Sequence, residues 1–240
     1  MDITEHYKSL AKTSFDVMVS MLNDAAVSAN FIASHNHLED FGRLKQAINN
    51  RPEVDTFDAG IKEYQFSLYA LASGQYRHAF VGLRLSLELM LATIQFSAHE
   101  IDYRQWVKDS KDINWSALKD LQNGIFSVNF INAFNPDFSE YSRQYQAIAE
   151  AVYRECSEFV HGNASTHNKL PSSITFDKDI FDSWCEKAKT IRLIIIFVFS
   201  SRYLNHISPT TYHIIEPVLL DAIGHLSAVQ SNFNKPLEEK

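Results

Sequence analysis

Arg154 and His161 are the residues whose types and spacing best suit chemistry in this chain. They stand seven positions apart, so on a helix they differ by about 20° in direction and about 10 Å along the axis. A guanidinium presents a fork of N–H donors that grips phosphate oxygens and stabilises charge growing on them. An imidazole takes up or releases a proton near neutral pH. On one helix side, the two suit gripping and cutting a phosphodiester.

Projected onto a helix, residues 143–161 divide into two sides. Ile148, Val152, Cys156 and Phe159 form an apolar stripe flanked by Tyr145 and Ala149, and Tyr153 packs beside it. Arg143, Glu150, Arg154, Ser157 and His161 take the opposite side, so His161 faces solvent, another helix or another subunit. Two plainer readings stay open. A histidine in the last turn, before Gly162, suits the negative end of the helix dipole, and Arg154 has Glu150 and Glu158 four residues away on either side.

Helical periodicity recurs along the rest of the chain and positions this segment. Helices are expected over 3–32 and 38–49, with Asn50-Arg51-Pro52 as a break, because proline removes a donor and clashes with the preceding turn. Further helices are expected over 56–72, capped by Ser73-Gly74, and over 76–99, the most apolar long helix of the N-terminal half. Short pieces follow at 115–122 and 128–133, then helices over 139–161, 179–206 and 211–232, with a polar loop at 164–173 and a loose charged tail from Lys235. Only 173–176 alternates even briefly as a strand would, so the expected fold is an all-α helical bundle forming one domain over 1–240.

Composition agrees. The 240 residues are 45% hydrophobic and 21% charged, as in a globular chain with a sizeable core. Seven glycines and six prolines are too few for the many tight turns of a sandwich or barrel. The two cysteines, Cys156 and Cys185, lack partners at metal-ligand spacing, so neither a disulfide framework nor a zinc site is expected, and a reducing cytoplasm is the natural compartment. The start of the chain lacks signal-peptide features, and the apolar run 193–199 is too short to span a bilayer, so no membrane role is expected. A net charge of −7 means a nucleic-acid ligand needs a local cationic patch. Gly-rich phosphate loops and nucleophile elbows are absent; His35 and His37, beside Glu39 and Asp40, are expected in a loop, and His206 and His213 lack partners.

The segment 153–162, Tyr-Arg-Glu-Cys-Ser-Glu-Phe-Val-His-Gly, resembles the signature of the HEPN superfamily, in which an arginine precedes a histidine by four to six residues near the end of a long helix. Six intervene here; Glu155 stands where Asn, Asp or His is commoner. Residues 69–88 resemble the first helix pair of larger HEPN-like proteins, with a small-residue turn and then Arg84 and Glu88 four apart. Arg77, Arg84, Glu88 and Gln95 line up as one narrow polar stripe on a helix otherwise apolar all round. Arg84 and Glu88 form an internal ion pair or, alternatively, orient Arg154 and His161 from behind. The likeness covers about 57–206, leaving extra N- and C-terminal helices.

The resemblance implies a metal-independent endoribonuclease without cofactor, often a toxin or antiviral defence effector. RNA supplies its own nucleophile, the 2′-hydroxyl; the products carry a cyclic phosphate and a 5′-hydroxyl. Arg154 and His161 are the catalytic candidates, with Arg84, Glu88, Ser157 and Asn163 in support; Ser157, Asn163, His167 and Lys169 could help bind phosphate or ribose, but an ordinary polar surface or loop role is the preferred reading for all of these except Asn163. The expected partners are RNA, a second copy of the chain and an antitoxin or defence-system protein; the homodimer brings two Arg154–His161 pairs together across a two-fold axis. Two other readings remain: a non-catalytic interaction or regulatory subunit, and a small-ligand or nucleotide-binding bundle.

Overall fold

The structure, a computed structural model, describes residues 2–161 and 163–233. Gly162 and the tail from Lys235, expected to end one helix and to be loose, lie outside the described residues.

Helices α1 (Ile3–Asn23) and α2 (Ala25–Ala47) replace the single helix expected over 3–32 and absorb the short one expected over 38–49. Asp24 makes the corner. Its extended backbone ends α1, and its carboxylate accepts from the N–H groups of Ala26 and Val27, so α2 starts on a side-chain cap. The two axes differ by 100° there. His35 and His37 therefore lie in α2, not in a loop.

Helices α3 (Val54–Ala72) and α4 (Tyr76–Phe96) form an antiparallel hairpin. Gly74, at φ +72°, turns the chain: the N–H of Gln75 donates to the Ala70 carbonyl at 2.8 Å, and that of Gly74 to Leu71 at 3.1 Å. Two glycines let the helices approach. A Cβ on Gly60 would stand 2.7 Å from Met90 Cγ and 3.2 Å from the Ser86 carbonyl, and one on Gly82 3.1 Å from Ser67 Cβ. Hydroxyls cross the seam, from Ser67 to the Ala79 carbonyl at 2.5 Å and from Ser86 to the Gly60 carbonyl at 2.7 Å.

Short helices α5 (Glu100–Val107), α6 (Trp115–Leu118) and α7 (Val128–Phe134) follow, then a 3₁₀ segment, Pro136–Tyr141. Helix α8 (Ser142–His161) is followed by α9 (Ala164–Lys169), which occupies part of the expected polar loop. Helix α10 (Lys178–Tyr203) runs into a 3₁₀ turn, and the last expected helix is split into α11 (Pro209–Ile223) and α12 (Ser227–Phe233). No strand occurs among the described residues, and 173–176 has no regular structure. The fold is an all-α bundle.

Helix α4 sits at the centre, packed by α3, α8 and α10. By length and composition it would cross a membrane, but 72% of its most apolar window is buried, as a core helix requires. Helix α10 contributes six consecutive fully buried residues, Ile194 to Phe199. Each such apolar side chain stabilises the fold by ~1.5–3 kcal/mol. Trp184 Nε1 is satisfied within that core by Ser67 Oγ and the Ala79 carbonyl, both at 3.2 Å.

Candidate functional site

Helix α8 divides as its pattern requires. Tyr145, Ala149, Val152 and Cys156 are buried against α4 and α10, while Arg143, Arg154 and His161 are exposed. Among the described residues neither Arg154 nor His161 makes a hydrogen bond or ion pair. The glutamates that could neutralise Arg154 are turned elsewhere or stand apart. Glu150 accepts from Gln146 at 3.0 Å and faces Lys119 at 3.6 Å, and Glu155 pairs with Lys187 at 2.9 Å. Glu158 lines a cleft on α8's flank.

Three contacts with α4 set the rotation of α8. Tyr153 Oη accepts from Arg84 Nη2 at 2.5 Å and donates to Glu88 Oε1 at 2.9 Å, and Arg84 and Glu88 meet at 3.1 Å. Burial first, and the Glu88 carboxylate second, raise the Tyr153 phenol above its usual range. The Trp115 ring stacks on Tyr153 with centroids 3.8 Å apart. One turn and a half further, Phe159 stacks on Phe80, also at 3.8 Å. Arg77 Nη1 then donates to the Phe159 carbonyl at 2.9 Å, taking up one of the last acceptors of the helix. With Tyr153 and Phe159 clamped inward, Arg154 and His161 must point out.

Arg84 and Glu88 thus form the ion pair and reach α8 through Tyr153; neither touches Arg154 or His161. Ser157 Oγ is committed to the Tyr153 carbonyl at 2.6 Å, within its own helix. Asn163 is exposed at the start of α9 and its side chain makes no cap. Gln95, the far end of the α4 stripe, is buried with its Oε1 unpartnered. Burial pushes the Cys156 thiol up to about 12 and Cys185 up to about 11, which removes both as nucleophiles near neutral pH.

Two clefts flank the end of α8, and neither is lined by Arg154 or His161. One, of about 610 Å³, lies between the start of α4 and the segment after α9; Arg77, His78, His167, Ser172 and Ser173 line it. The other, of about 580 Å³, has Glu155, Glu158, Asp177 and Asp179 beside Lys169 and Lys187. The first cleft was only partly legible in sequence. Arg77 stood in the polar stripe of α4, but nothing local paired it with His167, 90 residues away. Comparisons of the chain with protein-family models, curated proteins and solved structures found no match.

Proposed function

We propose that the chain is a metal-independent endoribonuclease of HEPN type, acting in the cytoplasm as a toxin or antiviral defence effector. The observation that supports it most is the pair Arg154 and His161, exposed on one side of α8 and committed to nothing else among the described residues. A guanidinium with all its donors open binds non-bridging phosphate oxygens. The open imidazole of His161, two turns further along the same side of the helix, accepts the proton of the ribose 2′-hydroxyl as that oxygen attacks phosphorus. The P–O5′ bond breaks, the leaving 5′-oxygen gains a proton, and a 2′,3′-cyclic phosphate remains.

A single imidazole serves as base or acid in one step, so a second must come from elsewhere for both roles. A two-fold dimer through the outward side of α8 supplies the partner's histidine. The test is cleavage of mixed RNA by purified protein in excess chelator, with His161→Ala and Arg154→Ala beside the parent. Loss of cutting in both, with helicity unchanged, supports the enzyme; equal cutting in all three refutes it. Full activity from a species that light scattering finds monomeric refutes the dimer.

A second reading, a non-catalytic interaction subunit, has one observation in its favour. Ile3, Tyr7 and Phe15 of α1, together with Phe66 and Tyr69 of α3, expose 62–71% of their surface. Exposed apolar side chains at this density suit a partner protein, such as an antitoxin.

A further inference from the structure

The cleft between the start of α4 and the segment after α9 has a lining whose charge is of one sign. Its ionisable lining is Arg77, His78, His167 and Tyr76, with no aspartate or glutamate, in a protein of net charge −7. The neighbouring cleft carries four carboxylates. Lys169 and Lys187 offset part of that charge, and the second cleft is the more acidic of the two.

Arg77, like Arg202, is held by neutral acceptors. The two contacts of Arg77 among the described residues are the Phe159 carbonyl at 2.9 Å and the His167 ring at 3.3 Å. Arg84, Arg43, Arg51 and Arg192, by contrast, each meet a carboxylate. Among the described residues Arg77 therefore meets no carboxylate and keeps three of its five N–H donors uncommitted. Arg77 Nη2 stands 3.3 Å from both ring nitrogens of His167, so either tautomer offers it a lone pair. An anion entering between them would accept from both groups. The Ser172 and Ser173 hydroxyls, exposed across the cleft, add further donors. Gln75 gives α4 no side-chain cap, so the helix start adds positive potential to the same space. About 610 Å³ is room for a nucleotide unit.

We propose that this cleft is a subsite for the backbone phosphate of single-stranded RNA, with Arg77 and His167 as its clamp and Ser172 and Ser173 on its opposite wall. The inference rests on the ribonuclease reading for its ligand. Arg77 binds the carbonyl two residues before His161, about 3 Å away along the axis, but Phe159 faces inward and His161 outward, so a strand lying at His161 reaches the cleft by passing round α8. The neighbouring cleft, with four carboxylates against two lysines, is the less favourable path for the strand.

The test uses a fluorescein-labelled, mixed-sequence RNA 12-mer and fluorescence anisotropy in the His161→Ala background, which removes cutting. Arg77→Gln should weaken binding about tenfold and lower the salt slope by about 0.7, the value for one phosphate on a single strand. Because Arg77 also ties down α8, Ser172→Asp and Ser173→Asp carry the test independently. Both residues are exposed, so the melting temperature should not move while binding weakens about tenfold. Lys187→Gln, in the acidic cleft, should leave binding unchanged. The proposal is overturned if both serine variants bind like the parent, if the parent binds no RNA, or if inorganic phosphate binds and RNA does not. Cleavage by the His161-intact protein is read separately. Loss of RNA affinity in the serine variants without any cleavage refutes the enzyme and keeps the subsite; cleavage with unaltered affinity refutes the subsite alone.

Discussion

Tyr153→Phe removes one oxygen and leaves the ring stacked on Trp115. That oxygen accepts from Arg84 and donates to Glu88, at 2.5 and 2.9 Å. The direct Arg84–Glu88 contact at 3.1 Å survives, so neither charge is orphaned. Hydrogen bonds to charged groups contribute ~1.5–3 kcal/mol net when well buried. Here the charged side chains retain 17 and 18% exposure, and water can replace part of what is lost. The expected cost is ~1–2 kcal/mol, or ~2–8 °C in melting temperature for a chain of this size. Glu88→Gln should cost more. It leaves a guanidinium without its anion, and Arg84 Nε already has no partner in the fold. Breaking a fully buried pair costs ~3–5 kcal/mol; the residual exposure brings this to ~2–3. Once Glu88 is gone the tyrosine hydroxyl has lost its anionic acceptor, so the double variant should cost ~1 kcal/mol less than the sum. Urea titrations followed by circular dichroism at constant slope measure all three. Equal costs for the single variants, or strict additivity, would refute a shared Arg84–Tyr153–Glu88 network.

His37 gives a pH prediction. Burial first, then the charge of Arg192, hold its pKa near 4 in the fold against 6.5 when unfolded, while Asp221 opposes them and Lys189 adds to them. The unfolded chain binds the proton first, so stability is full above about 6.5 and falls by up to ~3 kcal/mol as pH drops to about 4. His37→Gln should remove that part of the acid loss; an unchanged pH slope of the urea midpoint speaks against it. At the α3–α4 seam, Gly60→Ala should destabilise by ~1–3 kcal/mol, because its Cβ meets Met90 and nearby backbone. Gly82→Ala, whose nearest neighbour is a Ser67 Cβ at 3.1 Å, should cost less, and the reverse order in thermal melts would be wrong for this packing.

The long helices were legible from the spacing and length of their apolar runs, whether they meet one neighbour or several. The periodicity of α3, α4, α8 and α10 marks them to within a few residues, and Gly74 and Asn50-Arg51-Pro52 mark two of their ends. Breaks made by side chains were less visible. Asp24 interrupts an unbroken helical pattern because its carboxylate offers the next helix a start, an effect that hydrophobic periodicity does not register. The same local chemistry places His35 and His37 in a helix. For the candidate site, the outward direction of Arg154 and His161 followed from the projection alone. The partners of Arg77 did not, because Phe159 and His167 are 82 and 90 residues away and only tertiary packing brings them there.

The polar stripe of α4 has a reading that neither of its sequence alternatives contained. A largely buried apolar helix has little reason to carry Arg77, Arg84 and Glu88 in a line, since each charge loses hydration on burial. Their contacts give the reason. Arg84 and Glu88 meet Tyr153, Phe80 meets Phe159, and Arg77 meets the Phe159 carbonyl. Going back along α4 goes forward along α8, so the stripe is the line on which an antiparallel α8 docks. Apolar packing alone would let a helix rotate or slide by a residue at modest cost, because side chains of similar size can exchange places. Directional bonds at two points about a turn and a half apart penalise both motions. The charges buried on α4 therefore fix which side of α8 faces outward, and with it the exposure of Arg154 and His161, without touching either.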